Sequence, residues 1–427
     1  MGQKQIVMKT TVDNLRINEK RFQQDFEALS QIGATGDGGV HRPALSPPHL
    51  AARAWFKQRV LQAGLKFSQD GAGNHSALLV CGPENAPPLL LGSHLDSVPN
   101  GGRFDGALGV LAALEVLRTI QESGISLPFN LEAIDFTDEE GTLVSLLGSL
   151  AIAGKLTRDH IQAPHGGREA FLAALSQAGL NEEMLFTARR KAGSLAGYLE
   201  LHIEQGPRLS QADKKIGVVS GITGNGSCQL TFIGRADHAG TMPLSDRLDA
   251  GRGASAFHQA VWALLEKSFP NCMANIGEMV YKPGASNIVP AEAILALDYR
   301  SPEAGSFNNL ETALLETARA TAQGLGLELK EELFGKHQPT PLDPEAQRSI
   351  IQAADLLGLS HMFLSSGASH DGQALADLCP VGMIFVPSIA GASHSWREMT
   401  EWVDCVNGAN VMLQTVLGFS ELDGRRV

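Results

Sequence analysis

Through the first half of the chain, short apolar blocks alternate with longer segments of helical pattern. "PPLLLGSHLDSV" (87–98) reads as a buried strand that breaks into a loop, and "GALGVLAALEVLRTIQ" (106–121) as an apolar helix. The pair repeats: "FNLEAIDFTDEEG" (129–141) has strand pattern and "GTLVSLLGSLAIAG" (141–154) helix pattern. This β-α-β-α order predicts an α/β protein, a mostly parallel sheet flanked by helices. In such sheets ligands gather beyond the carboxyl ends of the strands. The segments holding His94 and Glu139 fall at such ends.

From about residue 216 the rhythm changes. Strand-like IGVVSGI and SCQLTFIGRA, a helix near 246–267, strands NIGEMVYKP and AILALDYRS, a helix near 306–324 and a final strand LELKEELF follow one another. Together they predict a compact α+β unit with a four-stranded sheet and two helices. The proline-bearing "GKHQPTPLDPEAQ" then returns to alternating helix and strand through "CPVGMIFVPS". The expected organisation is a discontinuous domain, 1–215 and 333–427, interrupted by an inserted one, 216–332.

With 427 residues, 43% of them hydrophobic, the chain has ample material for two cores. A formal charge of −12 argues against a nucleic-acid or anionic-membrane partner, since both attract clustered Lys and Arg. The first residues, MGQKQIVMKTTVDN, lack the apolar core of a signal peptide, and no apolar run is long enough to span a bilayer. Five cysteines, odd in number and far apart, fit reduced thiols. A cytoplasmic protein is expected.

The chemistry concentrates in polar, glycine-rich loops where histidines stand beside carboxylates: His94, His202, His238, His370 and His394. One such histidine is usually a solvated surface group; a set of them asks for another explanation. His94 and Asp96, two apart on an extended strand end, point the same way, so Asp96 is expected to accept the second ring N–H of His94. Glycines let the following loop turn tightly enough for Asp105 to converge on the same place. Asp138, Glu139 and Glu140 close an apolar strand; three adjacent acids repel unless a cation offsets them, and one can bind metal while its neighbour takes a proton from water. Adding His202 and His394, the set His94, Asp105, Glu140, His202 and His394 gives five ligands. That is too many for one tetrahedral zinc and suits two ions sharing a carboxylate.

The stretches "GSHLDSVPNGGRFDGALGV", "DEEG", "LHIEQGP", "GRADHAGTMP", "SNIVP", "DYR", "SGASHDGQ" and "GASHSWRE" occur in that order across nearly the whole chain. In them the chain resembles the M20 family of dinuclear metallopeptidases and amidases. The branch it resembles most comprises the N-carbamoyl-L-amino-acid hydrolases, allantoate amidohydrolases and β-ureidopropionases. The resemblance implies that His94 and His202 serve one divalent ion, Glu140 and His394 a second, and that Asp105 bridges them. Zinc is the first expectation, with manganese, cobalt or nickel also accepted by such ligands. Glu139 is implied as general base and Asp96 as an orienting residue. The inserted domain is implied to be a lid that forms a homodimer. Its His238 would reach a neighbouring subunit's site and stabilise the oxyanion.

Asn287 and Arg300 would hold the substrate carboxylate, and Gln205 and His370 would line the same cavity. The expected reaction is hydrolysis of N-carbamoyl L-amino acids to amino acid, carbon dioxide and ammonia. Allantoate and ureidopropionate are the alternative substrates, ahead of a dipeptide or N-acyl amino acid or a non-catalytic binding role. Two stretches depart from the family pattern. Gly141-Thr142-Leu143-Val144 stands where Gly-Ser-Arg-Phe is usual, and Gly367-Ala368-Ser369-His370-Asp371-Gly372 stands for Gly-Ala-Gly-His-Asp-Ala. Both are expected near the pocket.

Overall fold

The computed structural model describes residues 13–423, with side chains as far as residue 419; the reading of the first twelve residues lies outside this range. The strands are β1 Lys66–Gln69, β2 His75–Leu79, β3 Pro88–His94, β4 Asn130–Phe136, β5 Gly197–Ile203, β6 Ile216–Ile222, β7 Gly224–Ile233, β8 Met273–Lys282, β9 Glu292–Ser301, β10 Glu328–His337, β11 Thr340–Pro341, β12 His361–Ser366 and β13 Val381–Val386. Among the described residues they build two sheets. One has the order β1-β2-β4-β3-β5-β13-β6-β11, with β12 also pairing β6; the other is β10-β7-β9-β8.

The heart of the larger sheet, β4-β3-β5-β13, is parallel, and antiparallel strands flank it on both sides. Strands β4, β5 and β13 are buried at every residue, as their unbroken apolar runs require once helices cover both faces. Helix Ala107–Ser123 is buried along nearly all its length and packs into the largest core cluster, with the sheet on one side and helix Trp402–Asp423 among its neighbours. The second sheet is antiparallel throughout. Its strands β7 and β9 alternate buried and half-buried positions, and helices Ala250–Ser268 and Ala304–Gly324 close its separate core.

The chain divides into two compact units. One takes the chain up to Ser220, Pro341–Leu364 and Ser369 onward; the other is Gly221–Thr340 with Ser365–Ala368. The expected limits of 216 and 332 therefore move later. Ile216–Ile222, assigned from sequence to the inserted unit, instead pairs with β13 and β12 in the larger sheet, and β10 runs on to His337. The helix expected across 141–154 is shortened to Leu147–Ala153, because the Asp138 carboxylate accepts the N–H groups of Leu143 and Val144 and holds that stretch as a loop. Leu143 and Val144, where the chain departs from the family pattern, lie in an apolar cluster with Leu45, Phe171 and Leu175. Among the described residues no helix is long and apolar enough to cross a membrane. All five cysteines are free thiols.

Candidate metal centre

Three adjacent parallel strands deliver the first donors. His94 is the last residue of β3, His202 the penultimate residue of β5, and Glu139 and Glu140 follow β4 after a short turn. Because β4, β3 and β5 run in register side by side, their carboxyl ends bring these side chains to one edge. Asp105 arrives on the loop after β3, immediately before Gly106. That glycine has φ 64°, and a Cβ there would fall 2.5 Å from Cε1 and Nε2 of His94. The position therefore requires glycine on both conformational and steric grounds.

The ligating atoms form two triplets that share Asp105, each lying within 4.8 Å: His94, Asp105 and His202, and Asp105, Glu140 and His394. Oδ1 of Asp105 stands 3.0 Å from Nε2 of His202 and 3.7 Å from Nε2 of His94. Its Oδ2 faces the other way, 3.6 Å from Nε2 of His394, which is itself 3.5 Å from Oε2 of Glu140. A carboxylate with one oxygen toward each nitrogen set has the form of a bridging ligand.

The imidazoles are prepared for this by their far nitrogens. Nδ1 of His94 lies 3.0 Å from the main-chain oxygen of Asp96, and Nδ1 of His202 lies 2.9 Å from that of Ile203. With Nδ1 committed to a carbonyl, Nε2 of each ring is the nitrogen turned toward Asp105; that of His202, when protonated, donates to Oδ1, and it is the atom that could meet an ion once that proton is lost. The expected partner of His94 thus differs in one respect: the carbonyl of Asp96 receives the ring N–H, while its carboxylate is 3.8 Å away. That carboxylate instead accepts the main-chain N–H groups of Glu139, at 3.4 Å, and Glu140, at 3.2 Å, fixing the turn that presents both glutamates.

The electrostatics are those of acids crowded out of water. Burial, then the charges of Asp371, Glu140, Asp105 and Asp96, pushes the Glu139 carboxyl well above the usual range; burial and the charges of Asp105 and Asp96 do the same to Glu140. Burial lifts Asp96 to about 6, and burial with the Asp96 charge lifts Asp138 to about 8. Asp105 is the exception: burial works to raise it, but the hydrogen bond and charge of His202 hold it below the ordinary value. Mixed imidazole and carboxylate donors suit divalent transition ions, and a cation among them offsets the repulsion that raises the glutamates. The residues present fit such ions.

Gln205 and His370 also reach this edge. Gln205 donates from Nε2 to Oδ2 of Asp105 at 3.0 Å, and the buried His370 ring packs edge-on against His202, 4.6 Å between centres. Asp138, Gln205 and His394 all adopt positive φ, 56°, 57° and 52°, a conformation that costs non-glycine residues energy.

The second unit holds the remaining predicted residues. His238 and Asn287 lie on neighbouring extended segments, joined by the N–H of Ala239 to the carbonyl of Asn287 at 3.0 Å and by the bridge of His238 with Ile288. Arg300, near the end of β9, is held by Asp298 at 2.9 Å and by the carbonyl of Gly367 at 2.8 Å.

Two carboxylates at the centre were missed by sequence reasoning. Glu200 accepts from Ser93 Oγ at 2.8 Å and lies with His202 and His370 in a third donor triplet. Its place two residues before His202 on one strand, hence on the same face, was the available signal. The other, Glu398, binds the main chain of the Asp105 loop.

The model for peptidase family M20/M25/M40 matches residues 90–418. An N-carbamoyl-L-amino acid amidohydrolase from Geobacillus stearothermophilus is 35% identical over 94% of this chain and 98% of its own. A ureidoglycolate hydrolase from Arabidopsis thaliana is 31% identical over 95% of this chain and 88% of its own. Among solved structures, an amidase of the hydantoinase/carbamoylase family from Burkholderia multivorans superposes with a TM-score of 0.86 at 32% identity, covering 95% of this chain and 98% of that one.

Proposed function

The chain belongs to peptidase family M20/M25/M40, and from that premise we propose that it is a metal-dependent amidohydrolase acting on N-carbamoyl L-amino acids. Water cleaves the ureido C–N bond of R–NH–CO–NH2 to give the amino acid, carbon dioxide and ammonia. The observation that carries this reading is the Asp105 carboxylate, with one oxygen toward His94 and His202 and the other toward His394.

His94, Asp105 and His202 hold one divalent ion, and Asp105, Glu140 and His394 a second, with zinc first and manganese, cobalt or nickel as substitutes. When bound, such ions lower the pKa of a water molecule and polarise a carbonyl oxygen. Glu139 takes the proton of the attacking water and hands it to the leaving nitrogen. Asp96 orients the turn that carries both glutamates. Asn287 and Arg300 anchor the substrate carboxylate, for which a planar guanidinium fork is suited, while Gln205 and His370 line the cavity. His238, supplied by the partner subunit of a lid-mediated homodimer, donates to the developing oxyanion, a contribution worth about 2.7–4 kcal/mol in other acyl-transfer sites. Free, mostly buried thiols support a cytoplasmic location.

A second reading keeps the centre and changes the acid. The Arabidopsis relative is named for ureidoglycolate, and allantoate and 3-ureidopropionate likewise carry a carboxylate beside a ureido group. The test is ammonia release from N-carbamoyl amino acids, allantoate, 3-ureidopropionate and ureidoglycolate by chelator-stripped enzyme reloaded with each metal in turn. Turnover of the carbamoyl amino acids first, and only with metal, is expected. Full activity of the stripped enzyme, or a clear preference for another ureido acid, overturns the corresponding half of the proposal.

A further inference from the structure

Glu398 lies four residues beyond His394 and is buried, 3% exposed, with no ion pair among the described residues. A carboxylate removed from water without a cation must be matched by donors. Oε1 accepts the main-chain N–H of Phe104 at 2.9 Å and of Asp105 at 3.1 Å, while Oε2 accepts the hydroxyl of Ser393 at 3.0 Å. The Ser393 hydroxyl also lies 3.5 Å from Oδ2 of Asp105, the oxygen that faces His394. One side chain thus ties the loop bearing Asp105 to the loop bearing His394. The chain makes room for it: a Cβ on Gly102 would fall 1.9 Å from Oε1 of Glu398.

The two donor triplets differ in how they are held. His94 and His202 sit within strands of the larger sheet, so the ladder itself places them. His394 has no such support. It stands on an irregular loop, at φ 52°, with its side chain 54% exposed. The tie through Ser393 and Glu398 is what links that loop to Asp105.

We propose that Glu398 is a positioning residue that sets the affinity of the Asp105, Glu140 and His394 triplet for its metal ion, and affects less the His94, Asp105 and His202 triplet, two of whose donors the sheet holds. The inference rests on the two-ion reading above. Removing the carboxylate frees the His394 loop from Asp105. Groups that orient ligands in this way typically change metal affinity by about 10–100-fold.

The test is calorimetric titration of metal-stripped, full-length protein with Co2+ alone. Wild type should show two binding events. Glu398→Ala should weaken one of them by about 10–100-fold and the other distinctly less. Glu398→Gln, whose carboxamide oxygen still accepts both N–H groups and whose NH2 can still meet Ser393, should restore the pattern. A role confined to general stability would lower the melting temperature without separating the two events, so unchanged affinities, or equal loss in both, overturn the proposal. Should Glu398→Ala fail to fold, Ser393→Ala decides: it cuts only the Oε2 link, so a weakened second event upholds the assignment and an unaltered one defeats it. A single event in wild type defeats the two-ion reading itself, and that is read before any variant is made.

Discussion

Oε2 of Glu139 stands 3.5 Å from Nε2 of His94, at the edge of the first donor triplet, and the side chain is almost wholly withdrawn from solvent. The carboxylate is therefore close enough to meet a water held by that triplet. Its neighbour Glu140 faces His394 instead. Two adjacent acids are thus aimed at different histidines by the turn after β4.

Glu139→Gln keeps size and hydrogen-bonding capacity but removes the basic oxygen. Metal content, measured by elemental analysis, should equal that of wild type, while kcat should fall by about 10²–10⁴-fold. Activity within tenfold of wild type would remove Glu139 from the role of base.

His238→Ala should slow turnover with metal content unchanged. Mixed with Glu139→Gln after dissociation and reassembly, it should recover activity: each mixed dimer then has one site with an intact Glu139 facing an intact His238. With random pairing the ceiling is about a quarter of wild-type activity. No recovery in a demonstrated mixed dimer would confine each site to one chain.

Arg300 already donates to Asp298 and to the carbonyl of Gly367, which fixes its guanidinium before any substrate arrives. Arg300→Ala should raise KM by roughly 10–100-fold for substrates with a free carboxylate, the equivalent of a lost hydrogen bond to a charged group. The same substitution tested on a carboxamide analogue should change KM far less. An equal change on both analogues would dismiss the anchoring role.

His75, on β2, gives a pH test at a residue outside the donor triplets. Burial, then the charge of Arg53, holds its imidazole down to about 3. In the unfolded chain the ring takes up a proton near its ordinary value of 6.5, whereas in the folded state it stays neutral. Its contribution is therefore complete above that value and is lost as pH falls toward 3, with a slope approaching about 1.4 kcal/mol per pH unit. Raised carboxyls such as Asp138 and Asp135 slope in the opposite sense, favouring the fold as they become protonated. The measurement is accordingly the difference between wild type and His75→Phe in denaturant midpoint from pH 7.5 to 4.5. The variant should gain on wild type as the solution is acidified; a constant difference would refute the assignment.

What could be read in the sequence tracks what local pattern encodes. The apolar runs of β3 and β4 end where polar residues begin, so the edge that gathers His94 and Glu139 was visible in the sequence, whereas β5, which brings His202 to it, was not read as a strand. The run at Ile216–Ile222 was equally plain as a strand, but hydrophobicity cannot say which sheet a strand joins, and the long-range pairing with β13 decided that. Leu143 and Val144 read as part of a helix, but the Asp138 carboxylate holds them in a loop that packs into a satellite core. Glu398 escaped notice because its donor in the Asp105 loop is 293 residues away along the chain.

The histidine rings at the end of β3 and β5 are oriented by main-chain carbonyls, those of Asp96 and Ile203, and no side chain supplies that acceptor. A carbonyl is common to every amino acid, so point mutation cannot delete this part of the wiring. Pocket walls can then drift toward new acids over evolutionary time while the two imidazoles keep their aim. Only an insertion, a deletion or a slipped strand would disturb it.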